Sequence, residues 1–404
     1  MSSRPLNIAI LGLHYAPEST GNAPYTTGLA EGLADAGHHV KVITGFPHYP
    51  EWRLQEGSGE WSRHEIKNGV ELTRLRHYVP ARPKIAGRLL MELSFGLRLI
   101  FADWGKPDVV IMVSPALFST GMAQCRVRLT FRRPLAAIWV QDLYSRGVVE
   151  TGSVKGYLAS ALATIESRIL KSADGVVAIH DRFASHLVDG LGVAPEQVEV
   201  IRNWTHLPER DPADRLQTRR DLGWADDEII VLHAGNMGAK QGLENVVSAA
   251  RISDARASRV RFVLMGDGNQ RRRLEAIGRD VYRLNFLDGL PTGRFQAALE
   301  AADVLLVNEL PGVRDMAVPS KLTSYFSSGV PVLAATDADS VTAAEISESG
   351  GGGGWTQGIP QHSMMRFWLW GPTKRGPKCS APTGSAIDVT CFRQRTPSPD
   401  TMTS

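Results

Sequence analysis

Short runs rich in Val and Ile alternate along this chain with longer segments that have the spacing of amphipathic helices. This alternation is typical of βαβ units around a parallel sheet. The first half of the chain carries one such series. Its predicted strands are Asn7–Leu13, Val40–Thr44, Asp108–Val113, Leu135–Val140, Gly175–Ile179 and Gln197–Ile201, and its predicted helices are Ala23–Ala36, Ile85–Phe101, Pro115–Leu129 and Val154–Leu170, with a meander around Glu71–Tyr78.

A polar segment without periodicity, residues 202–214, reads as a linker and separates this series from a second one. We therefore predict an α/β protein of two doubly wound domains, residues 1–202 and 215–353, whose sheets present their carboxyl ends to a central cleft. The second series has predicted strands Ile229–His233, Arg261–Met265, Leu284–Leu287, Val304–Val307 and Pro331–Ala335, and predicted helices Gly242–Ile252, Gln270–Ile277, Thr292–Ala301 and Ser320–Ser328.

The composition is that of a soluble globular protein long enough for two domains, with 404 residues, 43% hydrophobic and 22% charged. A net charge of +3 gives no reason to expect nucleic-acid binding. The cysteines Cys125, Cys379 and Cys391 fit neither a metal site nor a disulfide framework, which indicates a reducing compartment. With no secretory signal and no apolar stretch of spanning length, we expect a cytoplasmic protein. Because the sequence has no His/Cys cluster with metal-ligand spacing, we expect no metal and no other cofactor.

A glycine-containing loop follows the first predicted strand. Gly12 and Gly21 would let a ligand approach the backbone, and Pro24 is suited to open a helix whose N-terminus attracts an anion. The loop is not G-x-G-x-x-G and no acidic residue closes the second strand, which argues against a dinucleotide site. A surface loop that needs glycine only for turning is the alternative.

Asp142 lies just past the predicted strand Leu135–Val140, at the edge where ligands bind in sheets of this class. A carboxylate there can orient a substrate hydroxyl or stabilise positive charge that develops on a reacting carbon. The alternative is an Asp that serves only a turn or a helix cap.

The second half repeats the strand, glycine loop and helix design. Gly235 and Gly238 with their free amides form a predicted phosphate cradle, and Lys240 supplies a cation. Gly266 makes a sharp turn after the next strand, and Leu287 ends the one after that, where backbone groups would read a nucleobase edge. Both are also explained as ordinary turns.

Pro319, Ser320 and Lys321 form the sharpest feature of the second half. Proline suits the first turn of a helix, so Ser320 and Lys321 would lie at a positive helix end directed into the cleft. A diphosphate would be held there without a metal. An ordinary capped helix with a solvated lysine is the alternative.

The segment Arg82–Leu99 is basic and amphipathic, and Arg126, Arg128, Arg132 and Arg133 cluster later in the same domain. Such a surface can lie on an anionic bilayer, each basic residue contributing about 1 kcal/mol. A helix whose apolar stripe belongs to the core is the alternative.

These loops, in this order, resemble the motifs of retaining GT-B glycosyltransferases, especially those of colanic acid, exopolysaccharide and O-antigen assembly. The resemblance extends from about Leu6 to Gly353. The stretches that carry it are GLHYAPESTGNAPY, VITGFPHYPEWR, WVQDLYSRGVVETG, IRNWTH, HAGNMGAKQGLENVV, GDGNQRRRLE and VPSKLTSYFSSGVPVLA.

The resemblance implies transfer of a sugar, with retention, from a nucleotide-diphospho-sugar held by the second domain to a lipid-linked saccharide held by the first. The enzyme would act at the inner membrane surface, in contact with it through Arg82–Leu99. Asp142 and Gln141 are the implied catalytic positions. The implied donor-binding positions are Gly12, Gly21, Asn236, Lys240, Gln241, Gly266, Leu287, Asp315, Ser320, Lys321 and Ser324.

The chain departs from the family pattern at three places. Many members have His where this chain has Gln141. The positions of the paired glutamates of the family are occupied here by Met316 and Ser324, which leaves Asp315 or Glu309 as substitutes. The positions of the family's phosphate-binding Arg and Lys are occupied by Asn236 and Gln241. Two other functions therefore stay open: an inactive remnant that at most binds nucleotide, and a GT-B sugar-nucleotide epimerase, for which no acidic catalytic pair is evident.

The sequence changes character after its glycine run. Residues 354–404 have no helical or strand period and are rich in tryptophan at their start. Back-translation from Trp355, read from the third base, gives a Pro-Gly-Asp turn and an apolar helix, which is how the family continues. We therefore predict a disordered tail produced by a frameshift, and a second domain that lacks its closing helices.

Overall fold

The computed structural model describes residues 4–18, 21–49, 51–54, 59–81, 85–145, 157–205, 207–208, 211–312, 321–350 and 352–356. The chain divides into two compact units after residue 206, within the segment read as a linker. Each unit is built on its own parallel sheet, so the predicted fold class is confirmed. None of the helices in these ranges combines the length and apolarity needed to cross a membrane.

The first unit is an eight-stranded sheet flanked by helices, with strand order β3-β4-β2-β1-β5-β6-β7-β8. Every strand pair is parallel except β3–β4. The strands are β1 Asn7–Leu11, β2 His39–Gly45, β3 Ser62–Lys67, β4 Val70–Leu75, β5 Val109–Val113, β6 Leu135–Val140, β7 Gly175–Ala178 and β8 Val198–Val200, and the helices are α1 Ala23–Asp35, α2 Ile85–Phe101, α3 Leu117–Leu129, α4 Tyr157–Lys171 and α5 Asp181–Ser185.

An antiparallel hairpin, β3–β4, closes one edge of this sheet where the sequence indicated only a meander. Asn68 and Gly69 connect the two strands, and both have positive φ, 50° and 76°. This backbone conformation is that of the two-residue turn that Asn-Gly favours in hairpins. The Asn-Gly turn therefore indicates the hairpin, which the polar sequence of strand β3 does not.

The second unit is a six-stranded parallel sheet with strand order β11-β10-β9-β12-β13-β14. Apolar side chains on both faces of the sheet form its core. The strands are β9 Ile229–Ala234, β10 Val260–Met265, β11 Leu284–Leu287, β12 Val304–Asn308, β13 Val332–Thr336 and β14 Gly352–Thr356, and the helices are α6 Arg215–Asp221, α7 Glu244–Ala255, α8 Arg271–Ile277, α9 Thr292–Ala301, α10 Lys321–Ser327 and α11 Val341–Ser349.

Regular structure extends slightly beyond the predicted start of the tail. Strand β14 pairs in parallel with β13 and includes Trp355 and Thr356. The rest of the predicted tail, residues 357–404, lies outside the described residues.

Candidate active site

Two glycine loops of the second unit pack directly against each other at the carboxyl edge of its sheet. Gly235 follows β9 and Gly266 follows β10, with φ of 130° and 129°. A Cβ on Gly266 would lie 2.1 Å from the carbonyl oxygen of Gly235, and a Cβ on Gly268 would lie 2.5 Å from that of Met237. Glycine is therefore required at 266 and 268 by contact between the loops, before any ligand is considered.

Lys321 places its ammonium group over the first of these loops. It is the first residue of α10, and its Nζ lies 3.8 Å from the position that a Cβ on Gly235 would occupy. Burial lowers the pKa of Lys321 to about 8, while the charge of Glu309 opposes that shift. A cation next to open glycine backbone is an arrangement suited to an anionic ligand.

His233, at the end of β9, is the partner of this lysine, and sequence reasoning missed it. Its Nε2 lies 3.3 Å from Lys321 Nζ and its Nδ1 lies 3.3 Å from the carbonyl oxygen of Leu306. The side chain is completely buried. Burial and the nearby ammonium group hold the pKa of His233 well below its usual range, so the imidazole is neutral.

Most of the other predicted donor positions of the second unit lie around the same two loops. Gln241 Oε1 accepts a hydrogen bond from Gly238 N at 3.0 Å, so its side chain closes the turn on itself. Asn236 is exposed beside the same turn. Lys240 is exposed as well, and its carbonyl oxygen accepts from Leu310 N. The carbonyl of Leu287 accepts from Gly266 N at 3.0 Å, which fixes the turn after β10.

Of the two residues considered as substitutes for the family's paired glutamates, Glu309 lies within electrostatic range of Lys321. Its carboxylate is held by Thr336 at 2.6 Å and by Thr342 at 2.9 Å, and burial raises its pKa. Ser324, at the family's glutamate position, is buried within α10. The remaining two predicted positions, Asp315 and Ser320, lie outside the described residues.

In the first unit, the loop after β1 is held by a buried carboxylate that sequence reasoning also missed. Glu18 Oε1 accepts from the backbone amides of His48 and Tyr49 at 2.8 and 2.9 Å, and its Oε2 pairs with His14 Nδ1 at 2.7 Å. Burial alone would raise its pKa, but the bonds from His14 and the two amides lower it. Glu18 therefore joins the β1 loop to the β2 loop as an anion.

The side chains of His14, Glu18 and His48 also offer three potential metal-ligand atoms within 4.8 Å of one another. Both Glu18 oxygens accept hydrogen bonds and His48 Nδ1 donates to the carbonyl of Phe46 at 2.9 Å, whereas His48 Nε2 is buried without a hydrogen-bond partner among the described residues. A metal ion bound to His14 Nδ1 or to Glu18 Oε2 would have to displace the hydrogen bond between them. The arrangement fits a hydrogen-bonded network better than a metal centre.

Gly12 and Gly21 differ in what their backbone requires. A Cβ on Gly12 would lie 3.3 Å from Val113 Cβ on the neighbouring strand β5, so glycine there serves close packing. Gly21 has φ of 66° and turns the chain into α1, as the left-handed region favours. Asn22, the next residue, donates to the carbonyl of Ser114 at 2.9 Å and so ties this loop to the end of β5.

Asp142 and Gln141 follow β6 next to that same serine. Ser114 Oγ donates to the carbonyl of Asp142 at 2.9 Å and accepts from Gln141 N at 3.1 Å. The Gln141 side chain forms a reciprocal amide pair with Asn203, with bonds of 3.0 and 2.8 Å, and is buried. Gln141 is thereby occupied by the chain itself, and Asp142 Oδ1 accepts a local bond from Leu143 N at 2.9 Å.

Helix α2 is apolar on two sides. Met91, Phe95 and Leu99 face the core, which agrees with the alternative reading of its apolar stripe. A second stripe of apolar side chains is exposed, with Leu97 52% and Phe101 81% accessible. Its members are Leu90, Leu93, Leu97 and Phe101.

The basic residues near α2 have structural partners. The Arg98 guanidinium stacks 4.0 Å from the ring of Trp61, and that of Arg88 lies 5.0 Å from the ring of Trp52. Arg126 Nη1 donates to the carbonyls of Leu99, Ile100 and Ala102 at the end of α2. Arg133 pairs with Asp174. The predicted basic cluster is therefore largely engaged within the protein.

Comparisons with known proteins agree with this architecture. The family model described as Glycosyl transferase 4-like domain matches residues 20–204, and that described as Glycosyl transferases group 1 matches residues 214–350. The putative colanic acid biosynthesis glycosyl transferase WcaI of Escherichia coli K12 is 32% identical over 345 residues, which are 80% of this chain and 82% of that protein. The chain belongs to the glycosyltransferases. It is a transferase of the predicted family.

Solved structures of low sequence identity share the fold. Sucrose-phosphate synthase from Thermosynechococcus elongatus superposes with a TM-score of 0.67 at 20% identity, over 90% of this chain and 89% of that one. Anabaena HepE in complex with UDP superposes with a TM-score of 0.62 at 14% identity, over 90% of each chain. The glycosyltransferase architecture is thus the GT-B fold that the resemblance implied.

Proposed function

We propose that this glycosyltransferase moves a sugar, with retention at the anomeric carbon, from a nucleoside-diphosphate sugar to a lipid-linked saccharide in exopolysaccharide or O-antigen biosynthesis. The observation that carries the proposal is the Lys321 ammonium group over the glycine loop of Gly235. A partly buried cation at that position stabilises negative charge on a leaving diphosphate as the sugar–phosphate bond breaks. A metal ion is not needed for this role.

Two likenesses support the proposed donor and acceptor. HepE, which shares the fold, is described in complex with UDP, and this supports a nucleoside diphosphate as the donor's leaving group. WcaI is named for colanic acid biosynthesis, which supports a saccharide acceptor of a cell-surface polymer. The exposed stripe of α2, with Leu90, Leu93, Leu97 and Phe101, supports contact with the membrane that carries a lipid-linked acceptor.

The experiment that tests this function incubates the purified full chain with a panel of nucleotide sugars and a polyprenyl-diphosphate-linked saccharide, and measures released nucleoside diphosphate. We expect release from at least one donor, unchanged by EDTA, and lost on Lys321→Met. NMR of the product then gives its anomeric configuration, which should equal that of the sugar in the donor. Arg294→Met, an exposed position on α9 with no assigned role in donor binding, is the control for a general loss of positive charge. Release that resists Lys321→Met would contradict the proposed role of the lysine.

An inactive product of a shifted reading frame is the second candidate. The observation that favours it is that the family match ends at residue 350, close to the point where the sequence changes character. We propose that the residues from about Trp355 are encoded out of frame. Resequencing the glycine run tests this directly. A frame-restored protein that is active beside an inactive present chain would support the frameshift, whereas an unshifted gene with full activity would contradict it.

A further inference from the structure

Two polar contacts of the His233 ring, with the Leu306 carbonyl and the Lys321 ammonium, indicate its tautomer, and a third polar neighbour is the backbone of Asn236. A carbonyl oxygen only accepts hydrogen bonds, so the contact of Nδ1 with Leu306 O at 3.3 Å places the proton on Nδ1. An ammonium group only donates, so the contact of Nε2 with Lys321 Nζ at 3.3 Å requires the lone pair on Nε2. Neutral His233 therefore accepts a hydrogen bond from the lysine.

Few charged or titratable groups of the described residues interact with the Lys321 ammonium. They are His233 from β9 and Glu309 from the end of β12. Glu309 is itself held by Thr336 and Thr342 from the β13 side. Of the hydrogen bonds resolved in the described residues, the one from Lys321 Nζ goes to His233. His233 is thus the group that sets the direction of the ammonium.

We propose that His233 is a positioning residue that holds the Lys321 ammonium group over the Gly235 loop, where it contacts the diphosphate of a nucleoside-diphosphate sugar. The inference rests on the proposed function and deepens it. His233 sits two residues before Gly235 at the end of β9, so the strand fixes the histidine, the histidine fixes the lysine, and the lysine meets the ligand. His233 itself does not touch the ligand in this arrangement.

The test compares three variants of the full chain by titration calorimetry with UDP and, separately, with inorganic pyrophosphate. His233→Leu removes the acceptor from the buried site, and His233→Gln retains an acceptor near the position of Nε2. Tyr325→Phe is the matched control, because Tyr325 is also fully buried and its hydroxyl bonds to the backbone of Ala234 in the same strand, while the hydrogen bond resolved for the Lys321 ammonium in the described residues goes to His233. Circular dichroism checks that each variant is folded.

We expect His233→Leu to weaken the binding of both ligands about tenfold, since a misplaced ammonium loses most of a charge-assisted hydrogen bond. His233→Gln is expected to stay within about threefold of the parent, and Tyr325→Phe likewise. In a double-mutant cycle, His233→Leu adds little to Lys321→Met, because both remove the same interaction. A His233→Leu effect that is equal to that of Tyr325→Phe, or fully additive with Lys321→Met, overturns the proposal.

The pH dependence of UDP binding provides a second test, because a substitution that only disturbs the fold would not shift it. A hydrogen-bond acceptor favours the charged form of the lysine, so its loss in His233→Leu lowers the pKa of Lys321 further. The pH at which UDP binding weakens then shifts downward in this variant and not in His233→Gln. An unshifted profile counts against the proposal.

The outcomes separate this inference from the function on which it rests. If the parent chain binds no nucleoside diphosphate, tested as UDP, GDP and dTDP, the proposed function fails. If the parent binds one, and Lys321→Met weakens it while His233→Leu does not, only the role of His233 fails.

Discussion

At the scale of single residues, a few buried polar groups decide where the loops lie. Glu18 is the clearest case, because one carboxylate satisfies two backbone amides of another loop and the ring of His14. Its partners lie up to 31 positions away in the chain, and those of His233 up to 88. No local pattern in a sequence signals pairs so far apart. The sequence therefore indicated the glycines and Lys321 but neither of the groups that hold them.

Replacement of Glu18 by alanine is expected to lower the free energy of unfolding by roughly 2–4 kcal/mol, because one buried and two partly buried donors are left without an acceptor. The loss should be smaller for Glu18→Gln, which keeps one oxygen. Urea denaturation followed by circular dichroism measures both. Exposed Glu71→Ala is the control and should change stability by less than about 0.5 kcal/mol. A Glu18→Ala protein as stable as this control would contradict the assignment.

The network also predicts the direction of an acid effect. Because the folded-state pKa of Glu18 is lowered, its contribution is present above the unfolded-state value and is lost as the pH falls through the folded-state value. We expect the stability difference between the parent and Glu18→Gln to shrink as the pH is lowered below about 4, the usual carboxylate range. Denaturation curves at several pH values measure it. A difference that stays constant into strong acid would exclude an ionised Glu18.

The charge of Lys321 predicts an alkaline limit on donor binding. Its pKa is lowered to about 8, so the ammonium group is present below that pH and is lost as the pH rises through it. UDP affinity of the parent should fall between pH 7 and pH 9.5, about tenfold for each unit above the pKa if the neutral lysine contributes nothing. Lys321→Arg keeps its charge throughout this range, so any remaining affinity should be independent of pH. An equal decline in both proteins would exclude Lys321 as the titrating group.

At the scale of elements, the hydrophobic pattern predicts well where burial dominates. Helix α2, Ile85–Phe101, and strands β6 and β11 have the predicted bounds, because each carries apolar side chains at the positions that pack against the core. Helix α6 was missed because its seven residues are mostly polar. Its stability comes from the cap on Asp214 and from buried Arg219, which bonds Asp303 and three carbonyls. Such an element depends on tertiary contacts that periodicity does not show.

The exposed stripe of α2 yields a prediction for membrane contact. The double substitution Leu93→Glu and Leu97→Glu should reduce binding to vesicles of phosphatidylglycerol and phosphatidylethanolamine about tenfold or more, since it places charge on the apolar face. Sedimentation with vesicles measures the bound fraction. The matched control is Leu216→Glu, because Leu216 in the second unit is 50% exposed against 52% for Leu97. Equal vesicle binding by the double variant and by Leu216→Glu would contradict a role of the stripe in membrane contact.

At the scale of the whole molecule, the two units differ in how their sheets end. The first sheet ends at the β3–β4 hairpin on one side, whereas the second sheet ends at β14, a strand made mainly of glycine. Glycine gives a strand little side-chain surface to pack. A chain that continued in the family frame would add an apolar helix after this strand.

Restoration of the reading frame after the glycine run is therefore expected to stabilise the second unit selectively. Scanning calorimetry of the present and restored chains should show a rise of roughly 5 °C or more in the transition of the second unit, with that of the first unit unchanged. The ligand-free state makes the comparison independent of activity. Equal transitions in both proteins would mean that the present sequence closes its own core.

Ser114 links two loops of the first unit through its hydrogen bonds. Its hydroxyl contacts the backbone on both sides of the Gln141–Asp142 bond, and its carbonyl accepts from Asn22, so one residue joins the turn into α1 to the carboxylate after β6. Because these hydrogen bonds meet at one residue, movement of one segment is expected to disturb the other. A bound molecule that orders the Asn22 turn is therefore expected to order the Asp142 backbone as well, which would lower the entropy cost of binding a second molecule there.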